Sequence, residues 1–361
     1  MNIFFYLIMI LFSLGQLGRL VFFDRQINFY LFEIFLFIFF MILFLKLRFG
    51  PINSLWKNNK KLFIFPAILF LSFILDFNKY SFFQNLVGLL YFLRLIFYFL
   101  YFFYLDYFIN KNEDFKKTIH NGLLIFTFFT IISTTTQYFL YPDLRNLMYL
   151  GWDPHLMRTF GVFFDTAVAG AIYGLIFFNN NFLIIKLIYL LFLVLSYSRG
   201  VILAFIISLI FLFLQKKQSV TKLLLIVFSL ILLLIILPKP FGEGGKLTRV
   251  YTVKSRINDY KEGLNLFFKK PLLGFGYNRL RYVRRISQSN AASNFSNSYL
   301  TILTTSGFLG LLGFFIFLKY FWMRFKRKRM LMIFIGITSL FDNVILHPFI
   351  LFLFLTSLFD N

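Results

Sequence analysis

The sequence predicts an all-α membrane protein, a polytopic bundle of about twelve transmembrane helices with a large periplasmic loop that contains short helices. Sixty per cent of the 361 residues are apolar, only 14% are charged, and the mean hydropathy is +0.79. A soluble domain of this composition would leave large apolar surfaces in contact with water. In addition, apolar runs of roughly 20 residues, the length that crosses a hydrocarbon core, recur from end to end of the chain.

The spans follow from these runs. The amino terminus is apolar within three residues and lacks the basic stretch and cleavage site of a signal peptide, so we interpret it as the first span. The predicted spans are 3–20, 28–45, 62–76, 86–108, 119–140, 160–178, 182–197, 200–214, 222–238, 298–318, 330–342 and 345–359.

Basic residues in the short loops predict the orientation. Seventeen Lys and Arg fall in alternate loops, within 46–61, 111–117, 216–222 and 319–329, whereas the loops between them hold six. Because cytoplasmic loops carry an excess of Lys and Arg, the richer side is predicted to be cytoplasmic, together with both termini.

Three regions result: residues 1–238 with nine spans, a periplasmic loop at 239–297, and residues 298–361 with three spans. The loop has twelve Lys and Arg against three acids, and loops this long can escape the charge rule. Ser255 is predicted to cap an amphipathic helix in it. Ile257, Tyr260, Leu264 and Phe267 would form the apolar face of that helix, which ends before Pro271.

Composition also excludes several kinds of partner and site. The net charge of +23 lies mostly in short loops, where it is a topology signal and a contact for membrane lipids, so we expect no nucleic-acid partner. There is no cysteine, and the three histidines are far apart, so we expect no metal site and no cofactor.

Arg199 is the strongest candidate for chemistry. In Ser198-Arg199-Gly200 it would open the eighth span beside free backbone N–H groups, an arrangement that suits a phosphate. The alternative is an interfacial arginine that extends to lipid headgroups.

Arg256 opens the predicted loop helix, with Asp259 and Tyr260 one turn on, and Arg279, Arg281, Arg284 and Arg285 follow. Arginines concentrated on the outer face predict an anionic ligand, and their planar fork suits a diphosphate better than lysine does. Adhesion to anionic lipid is the alternative.

Other polar residues lie near or within spans. Arg158 precedes the sixth span, and Asp165 is predicted one helical turn beyond Gly161, at a position where ionisable groups tend to be functional. Arg94 lies mid-span and needs a partner, for which Asp76 and Asp106 are candidates.

These features resemble the O-antigen polymerase and O-antigen ligase superfamily of integral membrane glycosyltransferases. The matching stretches, in family order, are Arg158-Thr-Phe-Gly161, Tyr197-Ser198-Arg199-Gly200, Arg256 through Pro271-Leu-Leu-Gly-Phe-Gly276, Asn297-Ser-Tyr-Leu300 with Ser306-Gly-Phe-Leu-Gly310, and Ser339-Leu-Phe-Asp342-Asn343. The resemblance covers 158–361, and the first 150 residues only as a number of spans.

One position departs from the family. Ser296 stands where ligases and many polymerases carry a histidine before the asparagine. This difference favours a polymerase over a ligase and leaves the general base open among Asp165, Asp259, Glu262 and Asp342.

The resemblance implies an enzyme of the bacterial inner membrane that joins undecaprenyl-pyrophosphate-linked repeat units without a metal ion, with room for a chain-length regulator as a further partner. Arg199, Arg256 and Asp165 would then be catalytic. Substrate-binding residues would be Arg158, Tyr260, Arg279, Arg281, Asn297 and Tyr299. The alternatives are an O-antigen ligase that uses lipid A-core as acceptor, a transporter or flippase for lipid-linked sugars, and a structural scaffold.

Overall fold

The structure, a computed structural model, describes residues 1–215, six single positions between 221 and 236, residues 251–284 and residues 293–360. Most of the predicted span 222–238, the beginning of the predicted loop at 239–250, and Arg285 lie outside the described residues.

The described chain is helical apart from one β-hairpin and short 3₁₀ turns, which agrees with the predicted all-α class. The hairpin pairs β1 (Arg19–Phe22) with antiparallel β2 (Ile27–Tyr30). The helices are α1 Asn2–Phe12, α2 Leu31–Leu47, α3 Gly50–Asn59, α4 Ile64–Leu75, α5 Phe82–Lys111, α6 Phe115–Leu140, α7 Thr166–Asn179, α8 Leu183–Leu195, α9 Arg199–Gln215, α10 Tyr251–Lys269, α11 Leu280–Val283, α12 Ser298–Arg324, α13 Arg329–Phe341 and α14 Pro348–Ser357.

Four described helical segments are long and apolar enough to cross a membrane: Gly50–Leu75, Phe82–Lys111, Phe115–Leu140 and Ser298–Arg324. The first joins α3 and α4 through a 3₁₀ turn. Several other predicted spans correspond to apolar helices of 10–17 residues. At 1.5 Å per residue these cover roughly 15–26 Å, less than the full hydrocarbon core. The number of twelve spans therefore stays a prediction.

The first predicted span, 3–20, is interrupted. Helix α1 ends at Phe12, and Gly15 turns the chain with φ +53°. A Cβ at Gly15 would lie 2.7 Å from the backbone oxygen of Val162. The helix ends because the chain must turn and pass this close to residue 162, which hydropathy does not reveal.

The contacts between helix ends agree with the predicted alternation. Ends that the charge rule assigns to the cytoplasmic side contact each other, for example Arg324 with Asp106 at 3.1 Å and His120 with Asp360 at 2.8 Å. On the opposite side, the Arg25 guanidinium donates to the backbone oxygen of Tyr149 at 3.2 Å.

Arg94 has a different partner from those predicted. Its guanidinium binds both carboxylate oxygens of Glu33, at 2.7 and 2.8 Å, whereas Asp76 pairs with lysines and Asp106 with Arg324. Glu33 lies in the first turn of α2. The pair neutralises a charge that would be costly within a span.

The stretch 271–276 docks on a kink in α12. Gly307 has φ +68° and ψ −171° inside the helix, and the backbone oxygen of Pro271 accepts from the N–H of Phe308 at 2.8 Å. A Cβ on Gly307 would lie 2.1 Å from the backbone oxygen of Leu272. The stretches 271–276 and 306–310, both part of the family resemblance, therefore contact each other through their backbones.

Candidate functional site

The site is built where α10 packs against α12. A Cβ on Gly263 would lie 2.6 Å from the side chain of Leu300, so the two helices approach closely there. Leu266 is buried against the same leucine, whereas Ile257 and Leu264 are 47% and 44% exposed. Ile257 and Leu264 of the predicted apolar face therefore do not pack on α12, and the helix meets α12 at Gly263, where the absence of a side chain permits the close approach.

Ser255 was also predicted to begin this helix. Helix α10 begins at Tyr251, so Ser255 lies in its second turn and does not cap it.

Tyr260 and Asn297 join this helix pair to the end of α13. The Tyr260 hydroxyl donates to the backbone oxygen of Leu340 at 2.5 Å, and the Asn297 amide donates to the same oxygen at 3.1 Å. Asn297 also caps α12, because its Oδ1 accepts from the N–H of Leu300 at 3.0 Å. Both side chains, predicted to bind substrate, hold residues 340–342 in place.

Arg256 and Asp342 meet as a consequence. Arg256 Nη2 lies 3.5 Å from Asp342 Oδ2, a long contact, and the two side chains are 31% and 33% exposed. At that distance the hydrogen bond is weak. The guanidinium therefore keeps most of its donor capacity for another anion.

Arg199 is brought to the same place by α9. Gly200 packs directly on Phe341, where a Cβ would lie 2.5 Å from the Cβ of Phe341, and Phe341 is the residue before Asp342. The positive charge of Arg256 acts on Arg199. The Arg199 side chain therefore lies within electrostatic range of Arg256, whose guanidinium contacts Asp342.

Asp342 is electrostatically unusual. Burial, together with the negative charges of Asp165 and Asp153, outweighs the effect of Arg256 and raises the pKa of Asp342 to about 7. Burial and Asp165 also raise the pKa of Asp153 above its usual value. A carboxyl group with a pKa near neutrality can both accept and release a proton at neutral pH.

Asp165 and Arg158 have structural partners. Asp165 caps α7, since its Oδ1 accepts from the N–H groups of Ala167 and Val168 at 2.7 and 3.0 Å. It precedes the helix, and is not one turn into it as predicted. Arg158 is buried and donates to the backbone oxygen of Ser196 at 2.8 Å, which fixes the approach to Arg199.

Two of the open general-base candidates are bound elsewhere. The Arg284 guanidinium contacts Glu262 at 2.8 Å and Asp259 at 3.1 Å. The other oxygen of Asp259 accepts from the Ser296 hydroxyl at 2.7 Å. These contacts reduce the suitability of Asp259 and Glu262 as bases and leave Asp342 and Asp165.

The remaining predicted residues lie apart from this cluster. Arg279 is completely buried, with its guanidinium 4.0 Å from the Phe73 ring centre and bonded to Asn85, so it has structural partners, and its role in substrate binding stays a prediction. The Tyr299 hydroxyl donates to the backbone oxygen of Gly336 at 3.0 Å and joins α12 to α13. Arg281 faces a separate cavity.

Sequence reasoning did not single out Asp153, and it placed Asp342 only among possible bases. Both follow or precede apolar stretches, Asp153 in Trp-Asp-Pro-His and Asp342 in Phe-Asp-Asn. A signal in the sequence could have found them. Acidic residues are rare in this chain, with 14 in 361 residues, so an acid beside an apolar stretch is a candidate functional residue. Within the described ranges, no group of three His, Cys, Asp or Glu side chains could hold a metal ion.

Comparison with known families gives one match. Residues 184–315 match the family model described as O-antigen ligase. No curated protein matches the chain. The matched region runs from α8 into α12 and contains Arg199, Arg256 and Asn297, while Asp165 and Asp342 lie outside it.

Proposed function

We propose that this integral membrane protein is a polysaccharide polymerase, because residues 184–315 match the O-antigen ligase family model and so support the predicted resemblance to the O-antigen ligase and polymerase superfamily. It would join undecaprenyl-pyrophosphate-linked oligosaccharide repeat units into O-antigen or a related surface polysaccharide at the periplasmic face. The observation that carries the proposal is the convergence of Arg199, Arg256 and Asp342.

The reaction exchanges one bond at the anomeric carbon of a lipid-linked chain. An acceptor hydroxyl forms the new C–O bond, the C–O bond to the diphosphate breaks, and the bonding electron pair leaves with the diphosphate. Asp342 takes the proton of the acceptor hydroxyl. A base for this step must come within about 3 Å of the attacking oxygen.

The two arginines would stabilise the departing diphosphate. Negative charge grows on its oxygens as the bond breaks, and guanidinium groups already held in position lower the energy of that state. Arg256 is suited to this because its contact with Asp342 is long and its side chain remains partly exposed. Residues Tyr260 and Asn297 act as positioning residues through Leu340.

Ser296 supports polymerase over ligase. In the family resemblance this position carries the histidine implicated in acceptor activation by ligases, whereas here the Ser296 hydroxyl is bonded to Asp259. Asp342 would take over proton removal. A transporter would need polar groups along a pathway, and Arg94, the main candidate for such a group, is bound to Glu33.

Purified protein incubated with lipid-linked repeat units isolated from the source organism should produce a ladder of products that differ by one unit. A product only when lipid A-core is supplied would identify a ligase. Movement of the substrate across proteoliposomes without bond formation would identify a transporter. Either of these last two outcomes contradicts the polymerase proposal.

We place the protein in the bacterial inner membrane, with both termini in the cytoplasm. Because the chain has no cysteine, single cysteines can test this orientation directly. Tyr149→Cys, at a position 75% exposed, should react with a membrane-impermeant maleimide in intact spheroplasts, whereas Lys326→Cys should react only after lysis. The reverse pattern would turn the Arg199–Arg256 cluster toward the cytosol and exclude a periplasmic reaction.

A further inference from the structure

A polar cavity of about 130 Å³ is lined in part by the residues that follow the proposed catalytic carboxylate in the chain. Asn343, the residue after Asp342, lines it, together with Arg281, Arg94, His347 and Asn294. None of its described lining residues is acidic. A small polar group of a ligand could therefore enter beside Asn343.

Arg281 gives this cavity an uncompensated positive charge. Its side chain is 8% exposed, and among the described residues it makes no hydrogen bond or ion pair. Arginine is almost never buried without a partner, because its charge loses hydration. A buried guanidinium that faces a cavity is therefore a site for an anion.

Neighbouring charges do not neutralise it. Arg94, on another wall of the cavity, is bound to Glu33, and Arg281 also repels the nearby Arg19. The Nδ1 of His347 and the Oδ1 of Asn343 are buried without hydrogen-bond partners within the described part of the chain. The cavity thus combines one unpaired cation with unused hydrogen-bonding groups.

We infer that this cavity binds an anionic substituent of the acceptor sugar, a carboxylate or a phosphate ester, through the Arg281 guanidinium. The inference rests on the proposed function, which places the acceptor sugar at Asp342, the residue before Asn343 in the chain. The planar fork of arginine matches the two oxygens of such a group. The polymer made by this protein should therefore contain an acidic sugar at its growing junction.

The test measures binding without polymerisation, so it is independent of the proposed reaction. The full-length protein in phosphatidylcholine nanodiscs is titrated with D-glucuronate and with D-glucose, and saturation-transfer NMR follows binding. Glucuronate should bind at least about tenfold more tightly than glucose, the scale expected for a charge-assisted hydrogen bond. Equal binding of the two sugars would overturn the inference.

Variants assign the effect to Arg281. Arg281→Gln should remove the preference for glucuronate, whereas Arg281→Lys should retain part of it, and Arg145→Gln, at an exposed arginine paired with Asp143, should leave it unchanged. Melting temperatures establish that each variant is folded. An unchanged preference in folded Arg281→Gln contradicts the inference. If that variant does not fold, a full preference in Arg281→Lys contradicts the role of the arginine fork.

A lipid headgroup is the other source of an anion. Replacing phosphatidylcholine by phosphatidylglycerol in the nanodiscs should not change glucuronate binding. Loss of binding there would identify the cavity as a lipid site and overturn the sugar assignment. A normal product ladder from a repeat unit with no acidic group would refute the acceptor-sugar inference while leaving the polymerase proposal intact.

Discussion

Replacing Arg256 with alanine should lower the rate of polymer formation by about 100- to 1,000-fold, the effect of removing one preorganised donor from a developing negative charge. Protein abundance should stay normal, because the contact between Arg256 and Asp342 is long, its two side chains are about one third exposed, and it contributes little to stability. Arg199→Ala should act similarly. Rates are measured from the product ladder, with Lys261→Ala, at an exposed lysine on the same helix, as the matched control.

The conservative variants Arg256→Lys and Arg199→Lys should be nearly as inactive as the alanine variants. A lysine keeps the charge but cannot bind two phosphate oxygens in one plane. Full activity in either lysine variant would mean that charge alone is needed, and full activity in Arg199→Ala would remove the proposed role of this residue.

A pH series separates two roles of Arg256. If Arg256 only keeps Asp342 ionised, its removal raises the pKa of Asp342, and the lost activity returns at higher pH. If it stabilises the leaving diphosphate, high pH does not restore the rate. We expect no restoration, and recovery of the wild-type rate at high pH would limit Arg256 to a positioning role.

Asp342→Asn should lower the rate by about 100- to 10,000-fold, since it removes the proposed general base. In the wild-type protein, kcat/KM should rise with pH and level off above the pKa of about 7, because the base is active only in its ionised form. Asp342→Asn should show low activity without this rise. Asp143→Asn, at an exposed carboxylate paired with Arg145, is the matched control and should leave the profile unchanged.

Asp165→Asn provides the decisive comparison. Asparagine still caps a helix, so α7 should remain intact. Loss of a nearby negative charge makes ionisation of Asp342 easier, so the midpoint of the pH profile should shift to lower pH. If Asp165→Asn instead abolishes the pH-dependent rise while Asp342→Asn preserves it, Asp165 is the base and the assignment to Asp342 is wrong.

The same carboxyl group affects stability in a defined direction. Its folded pKa of about 7 lies above the usual carboxyl value, so the folded protein holds more protons than the unfolded chain between those two values. The contribution of Asp342 to the free energy of unfolding therefore decreases as pH rises through that window. The ionised form, which the proposed reaction requires, is therefore the form that folding stabilises less.

Several local features could be predicted from the sequence because their physical causes are local. Apolar composition and run length predict a helical membrane protein, and the arrangement of helix-end contacts agrees with the distribution of basic residues. The segments Ser198-Arg199-Gly200, 271–276 and 306–310 were recognised as motifs, and the family match to 184–315 confirms that resemblance.

The partners of individual charged side chains depend on which helices pack against each other, and sequence patterns do not predict that packing. Glu33 was overlooked as the partner of Arg94, because a charge pair between helices leaves no spacing signal. Arg279 and Arg281 are two residues apart and similar in sequence context. Packing nevertheless places one between Phe73 and Tyr80 and the other at a cavity.

Hydropathy, charge bias and short motifs are sufficient to predict a helical membrane protein, its family resemblance and the arginines that are its main candidates for chemistry, because these signals are sums over neighbouring residues. They do not reveal that Arg256 contacts Asp342, or that Arg199 lies within electrostatic range of Arg256. Those placements depend on close approaches at Gly200 and Gly263 between segments that are distant in the chain.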